Sequence, residues 1–374
     1  MKGRNVLGTA VIMLALIALT VGCAAAPVAK TVTAPAPAPK TVTAPAPAPA
    51  PTFSTTWKMV FVSQLKENNW QGEIIEEWRK EVEQNTNGAV KMEFYWPGML
   101  PYKGKEVLTA VNDRLVDGAE GTPHLYGGIE PIMETSYLIY LFENDAEAKA
   151  GLQSVVFPHF AKAFDKYNVH VLINRPSSGG FNQWFSKEPV TKLSDMAGVS
   201  ARAYNKESSD VLKYWGAVPT TIPMVELYQA LQQGIVDAVI TSATTAKSTK
   251  FWEVLTYITK VAYKSYSPAN IMVNKDAWEE LPPDTQLVIE ALNKKYSEKF
   301  WDISLEAEAE IWETLLAEGM KIVELEPGEK AKLKAASAYP AWKEWVERSG
   351  PAGVAMYKDL EELLGRDILS HIGY

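Results

Sequence analysis

A single cysteine, Cys23, is all that this chain of 374 residues carries, so neither a disulfide framework nor a cysteine-based metal site is available. Histidine is scarce too: His124, His159, His170 and His371 are scattered, and no two stand at metal-ligand spacing on one helix. No cofactor and no metal site are expected. Positive charge is short as well, with 37 Lys and Arg against 45 Asp and Glu and a net charge of −8. An acidic chain without a basic patch is a poor partner for nucleic acid, where phosphate contacts dominate affinity. A Gly-x-Ser-x-Gly elbow, a His-Glu-x-x-His pair and a phosphate-binding glycine loop are all missing, so the chain is not expected to be an enzyme. Adjacent carboxylates such as Glu76 and Glu77 fall on a solvated helix face.

What is present begins with a leader. Lys2 and Arg4 precede an apolar run from Val6 to Val21, which at 16 residues is short for a spanning helix. The charged start, the apolar stretch and the small residue Gly22 before Cys23 form a secretory signal over residues 1–23. The Gly22-Cys23 ending resembles a bacterial lipobox, which implies a lipid on Cys23; Thr20 stands where a lipobox usually has leucine. Residues 24–54 form a linker in which Lys-Thr-Val-Thr-Ala-Pro-Ala-Pro-Ala-Pro occurs twice, from Lys30 and from Lys40. Such a tract buries no core and favours extended polyproline II. It is a tether that holds a globular body off a membrane surface.

The body is large enough for two α/β lobes, and 47% hydrophobic residues with 12 Trp supply a sizeable core. Trp57 to Ser63 reads as a buried strand. Ile74, Ile75, Trp78 and Val82 recur at helical spacing, and Asn87-Gly88 stops that helix. Val90, Met92, Phe94 and Trp96 alternate as a second strand, and Val107, Leu108, Val111 and Leu115 mark the next helix. This rhythm predicts parallel sheets with helices on both faces. Val169–Ile173 leaves the first lobe, Ser177 to Gly180 crosses, and Asn270–Asn274 returns. Residues 284–319 hold no proline and no interior glycine, which allows one helix of about 54 Å or two helices with an unmarked break.

Several segments, in order, carry a family resemblance: Val82-Glu-Gln-Asn-Thr-Asn-Gly88, Leu115-Val-Asp-Gly118, Lys187-Glu-Pro-Val190, Leu193-Ser-Asp-Met-Ala-Gly198, Arg202, Gly216-Ala-Val-Pro219, Leu231-Gln-Gln-Gly-Ile-Val-Asp237 and Val273-Asn-Lys-Asp-Ala-Trp-Glu-Glu-Leu-Pro282. With them the chain resembles the solute-binding proteins of TRAP (tripartite ATP-independent periplasmic) transporters from about Trp57 to about Gly350. The resemblance implies an α/β, two-lobed periplasmic-binding-protein-like fold with a long helix bridging the lobes. Lobe I is expected over 55–178 and 268–305, lobe II over 179–267 and 306–350, and a C-terminal helical segment over 351–374. It implies capture of a small organic acid outside the cytoplasm by domain closure at crossings near Gly179 and Ser267, and delivery to a membrane permease. A binding protein for a different importer or a sensor kinase shares the strand–helix rhythm, and only the ordered motifs argue against it.

Arg202 ends a short apolar strand, at the sheet edge where open α/β folds bind ligands. Its match to the family's near-constant arginine implies two parallel N–H···O bonds to a carboxylate, a geometry that guanidinium suits. Asn205 matches a family position that supports the ligand, although Asn205, Asn182 and Gln183 equally suit turn capping. Thr122 and His124 follow the third strand, and Thr241 and Ser242 end the strand containing Asp237, itself read as structural. Trp184, Trp70 and Met224 are expected as apolar walls. Some family members carry a second arginine where this chain has Phe181-Asn-Gln-Trp184-Phe. Others chelate a cation with Glu where it has Ala238-Val-Ile-Thr241. Both differences favour a monocarboxylate with an apolar body and no cation.

Overall fold

The computed structural model describes residues 53–374, apart from 63, 64, 66, 68, 103, 135–137, 178, 179, 265 and the side chain of Val225. The leader, Cys23, the proline-rich repeats and Gly179 lie outside the described residues.

The first lobe comprises β1 (Thr55–Val60), α1 (Trp70–Asn85), β2 (Val90–Tyr95), α2 (Glu106–Asn112), β3 (Gly118–Gly121), α3 (Asp145–Gly151), α4 (Phe157–Phe164) and β4 (Val169–Pro176). The second comprises β5 (Gln183–Ser186), β6 (Ser200–Ala203), α5 (Lys206–Tyr214), β7 (Val218–Thr221), α6 (Leu227–Gln232), β8 (Ala238–Thr241), α7 (Ala243–Ser248) and β9 (Tyr257–Thr259). The chain then returns through β10 (Pro268–Asn274) and α8 (Lys275–Glu279). It ends with α9 (Pro283–Ala317), β11 (Lys321–Val323), α10 (Glu329–Ser349) and α11 (Pro351–Leu364).

Two sheets form, in the orders β2-β1-β3-β10-β4 and β11-β9-β5-β8-β6-β7. The expectation of parallel sheets needs correction, because both are mixed. β10 runs antiparallel to β3 and β4, and β5 antiparallel to β8 and β9. Each is the strand by which the chain enters a lobe after a crossing, so it runs against the strands that βα units lay down.

In the first lobe Ile74, Ile75, Trp78 and Val82 of α1 are all buried, as their spacing predicts. Asn69 caps this helix through the Gly72 N–H. Leu115 departs from expectation. It is 61% exposed, because α2 stops at Asn112 and Arg114, at φ 54°, turns the chain before Leu115 can continue the apolar face.

Residues 283–317 are one unbroken helix, which removes the two-helix alternative. Its buried positions recur every three or four residues, yet they serve two different cores. Ile289, Leu292, Tyr296 and Phe300 pack with Trp57, Trp78 and Ile271 of the first lobe, whereas Ile311 and Leu315 pack with Phe185, Val239 and Phe251 of the second. Residues 329–349, expected within the second lobe, contact both. Trp342 and Trp345 donate their indole N–H groups to the carbonyls of Ile139 and Pro131, at 2.8 and 3.0 Å, and Trp215 of the second lobe donates to Ser337 at 3.3 Å. α11 packs on α10 and on α3.

Asn274 ties the return strand to two helices. Its Nδ2 donates to the carbonyls of Val111 and Asn112, and its Oδ1 accepts from Ala277 N at the start of α8. Asn274→Ala removes a cap and strands a buried carbonyl, so a loss of about 2–4 kcal/mol in urea unfolding is expected. A loss below about 0.5 kcal/mol would show that water replaces all three bonds.

Candidate functional site

β6 lies between β7 and β8, parallel to both, so Arg202 emerges where three strands end together. Its neighbours in register are Thr220 and Val239. The residue is only 5% exposed. Nε donates to the Ile222 carbonyl at 3.0 Å, and the guanidinium lies 5.6 Å from the centre of the Tyr204 ring. Among the described residues no carboxylate forms an ion pair with it. Burial pushes its pKa down, against the nearby Tyr204 and Tyr263, but a guanidinium stays charged. A cation withdrawn from water without a counter-ion is costly, and an arriving anion relieves that cost.

The other cations of this region are already neutralised. Lys264, in the second crossing, donates to both carboxylate oxygens of Glu207 at 2.9 and 3.2 Å. Burial lowers its pKa, but Glu207 reverses the effect and holds the ammonium above its usual range. In the first lobe Arg175 of β4 and Glu120 of β3, both wholly buried, bond to each other. Arg175 also donates to the Pro176 carbonyl at 3.1 Å and lies 5.5 Å from the Phe300 ring, while Glu120 accepts from Val62 N.

Tyr204 is the centre of the cluster. Its hydroxyl is 2.7 Å from that of Tyr263, and Lys264 Nζ lies 5.9 Å from its ring. Asn182 joins through its backbone, donating to the Lys264 carbonyl and accepting from Tyr263 N, and its side chain meets the Tyr263 hydroxyl. His124 is exposed, on the turn that follows β3. Partial desolvation first, and then the Lys264 charge, lower its pKa to about 4, so it is neutral at ordinary pH.

The structure thus brings Arg202 and Asn182 into one cluster with Tyr204, Tyr263, Lys264 and Glu207, and the Lys264 charge is felt at His124. Residues 61–349 match the family described as bacterial extracellular solute-binding protein, family 7. The chain belongs to that family. It is 24% identical to the ectoine/5-hydroxyectoine-binding periplasmic protein UehA of Ruegeria pomeroyi, over 82% of this chain and 89% of that one. Its fold matches DctP7, a Bordetella pertussis extracytoplasmic solute receptor binding pyroglutamic acid, with a TM-score of 0.70 and 24% identity over 82% of this chain and all of that one. It also matches a TRAP periplasmic solute-binding protein of Desulfovibrio desulfuricans with bound sn-glycerol-3-phosphate, with a TM-score of 0.71 and 19% identity over 84% and 99% of the two chains. The protein is a TRAP-type extracytoplasmic solute-binding protein, two-lobed, of a kind that works with membrane permease components.

In this solute-binding protein the remaining expected site residues are dispersed. Asn205 is the cap of α5, its Oδ1 accepting from Ser208 N at 2.9 Å. Thr122 is buried with its hydroxyl unpartnered, and Thr241 is buried at the end of β8 beside Ser242, which caps α7. Trp184, expected as an apolar wall, is fully buried, because its face of β5 is covered by the core cluster that includes Trp215, Tyr263 and Trp301. Met224 is 44% exposed ahead of α6, and Trp70 opens α1 with its ring 6.5 Å from Phe300. Among the described residues no hydrogen bond or ring contact joins Trp70, Met224 or Trp184 to Arg202. Asp237 pairs with Lys187 at 2.7 Å, a structural role. No group of three or more His, Cys, Asp or Glu among the described residues could hold a metal ion, and no described helix is long and apolar enough to cross a membrane.

Glu120, Arg175, Glu207 and Lys264 escaped sequence reasoning. A signal existed, since Glu120 is the lone charge in a strand of small residues and Arg175 stands at the end of a largely apolar one. The pairing makes different predictions for two arginines. Glu120→Ala leaves Arg175 buried and unpaired and is expected to cost about 3–5 kcal/mol of unfolding free energy. Arg202→Met removes a buried charge that has no ion-pair partner among the described residues and gives up one hydrogen bond to the Ile222 carbonyl, so stability in the ligand-free protein should fall far less than in Glu120→Ala. Equal losses in both variants would contradict this charge assignment.

Proposed function

We propose that the protein captures a small monocarboxylate with an apolar body, Arg202 taking the carboxylate through two parallel hydrogen bonds, and delivers it to a TRAP permease. The observation that carries this reading is the charge balance. Arg202 is a buried cation without a carboxylate, whereas Arg175 and Lys264 are spent on Glu120 and Glu207. A second carboxylate would have to compete with one of these buried pairs, and breaking such a pair costs about 3–5 kcal/mol. Pyroglutamic acid, bound by DctP7, carries one carboxylate, and the glycerol phosphate of the Desulfovibrio protein is also an anion. Neutral His124, Asn182 and the Thr122 hydroxyl supply polar contacts without charge. Asn205 contributes its amide NH₂, its oxygen being engaged in the cap. Thr241, Trp70 and Met224 complete the proposed site at its margins. No chemical step on the ligand is proposed.

Binding shifts the two lobes toward a closed state by the ligand's greater affinity for it, and the permease reads that state. A thermal-shift screen against organic acids tests the reading. Arg202→Ala should lower affinity by two to three orders of magnitude, or about 3–4 kcal/mol, and Arg202→Lys should not restore it. A dicarboxylate binding more tightly than its monocarboxylate analogues would sink the monoanion reading.

Lipidation of Cys23 belongs to the same proposal. It would turn residues 24–54 into a tether from the membrane to the body. Cys23→Ala should move the protein from the membrane fraction to the soluble one, and an unchanged distribution would remove the anchor.

A further inference from the structure

Gly180, at the end of the first crossing, lies against a buried acid. Gly180 adopts φ +65°, and a Cβ placed there would lie 2.0 Å from Oε1 of Glu308, so both its dihedral and its surroundings require glycine. Glu308 sits on α9 between the half that packs in the first lobe and the half that packs in the second. It is 8% exposed. Oε1 accepts from the Trp312 indole at 2.9 Å, and Oε2 is buried with no hydrogen-bond partner among the described residues.

The titratable groups that face it come from three directions. Asp145 opens α3 in the first lobe, and Tyr266, in the second crossing, is buried with its hydroxyl unpartnered among the described residues; burial first, and then the charges of Asp145 and Glu308, raise its pKa. Tyr266 also packs edge-on against Trp301 of α9, at 5.1 Å between ring centres. The cations nearby are engaged elsewhere: Lys149 of α3 with Glu298 and Asp302, and Lys247 of α7 with Glu310. Burial, opposed by the Trp312 bond and reinforced by Asp145, pushes the Glu308 pKa up to about 7.

We propose that Glu308 is a proton-operated latch on the hinge: protonated, it lies beneath Gly180 as described, and ionised, it favours a rearranged crossing in which water reaches Oε2. The carboxylic acid gives its proton to bulk water when the latch releases. No ligand is needed, so the device stands apart from anion capture at Arg202. The described conformer holds the proton more tightly than a hydrated one would, so its population falls as pH rises from the ordinary carboxylate range through about 7.

The test is an inter-lobe distance. Spin labels at Gln84→Cys on α1 and Gln233→Cys after α6, in the full chain with Cys23→Ser, report the two lobes by pulsed electron–electron resonance. With a latch pKa of about 7 against about 4.5 when hydrated, the ratio of the two distance populations should change about tenfold between pH 6 and pH 8. Glu308→Gln should abolish that change. Asp145→Asn, an exposed substitution, should move its midpoint to lower pH. A distance distribution constant from pH 6 to pH 8 overturns the latch, and so does a Glu308→Gln protein that keeps the wild-type response. Should Glu308→Gln fail to fold, an unmoved midpoint in Asp145→Asn overturns it instead.

Discussion

Helix α9 is buried at both ends in different cores. Its first half closes the first lobe over Trp57 and Trp78, and its second half closes the second over Phe185 and Phe251. A helix rises about 1.5 Å per residue and resists sharp bending unless proline, glycine or an inserted group breaks its ladder. Nothing of that kind interrupts residues 283–317. Neither lobe can therefore move without working against the packing of the same rod, and motion is confined to the strand crossings and to what lies between them and α9. Glu308, beneath Gly180, is the polar group at that junction. An acid placed there couples the protonation of one carboxyl to the path of the crossing.

Around this frame, charge is distributed with economy. Buried cations demand compensation, and two of the three among the described residues receive a carboxylate from within the chain, Arg175 from Glu120 and Lys264 from Glu207. Arg202 alone lacks a carboxylate among the described residues, and its companions are aromatic and neutral: the Tyr204 face, the Ile222 carbonyl and the linked hydroxyls of Tyr204 and Tyr263. Low local polarity strengthens the pull of that cation on an incoming anion, while the neutralised pairs give no purchase to a second one. In the proposed reading, selectivity by charge number rests on which buried ions are already paired, rather than on how many basic residues the chain contains.

Much of the scaffold was legible beforehand. The apolar spacing of Ile74, Ile75, Trp78 and Val82, the alternation from Val90, and the unbroken run through α9 each report local structure, because burial of one face is a local periodic demand. The mixed character of both sheets was not legible. Strand direction depends on how the chain re-enters each lobe, and β10 carries no mark of whether its neighbours run with or against it. Leu115 and Trp184 show the same limit at single residues. Leu115 kept the helical period of its neighbours, but a left-handed Arg114 ended the helix first. Trp184 was expected as an apolar wall, but the core packed on that face of β5 encloses it.

The sequence by itself determined the family, the two-lobe plan and the helical run of 284–319, and it singled out Arg202 as the proposed anion ligand, because each depends on residue order or on periodicity along the chain. Tertiary structure alone decided what surrounds that arginine. Arg175 and Glu120 are 55 residues apart, and Lys264 and Glu207 are 57 apart. No spacing rule joins them. Whether a buried charge is paired or free is a property of neighbours in space, and it was this that separated Arg202 from the other cations and set Glu308 under the hinge.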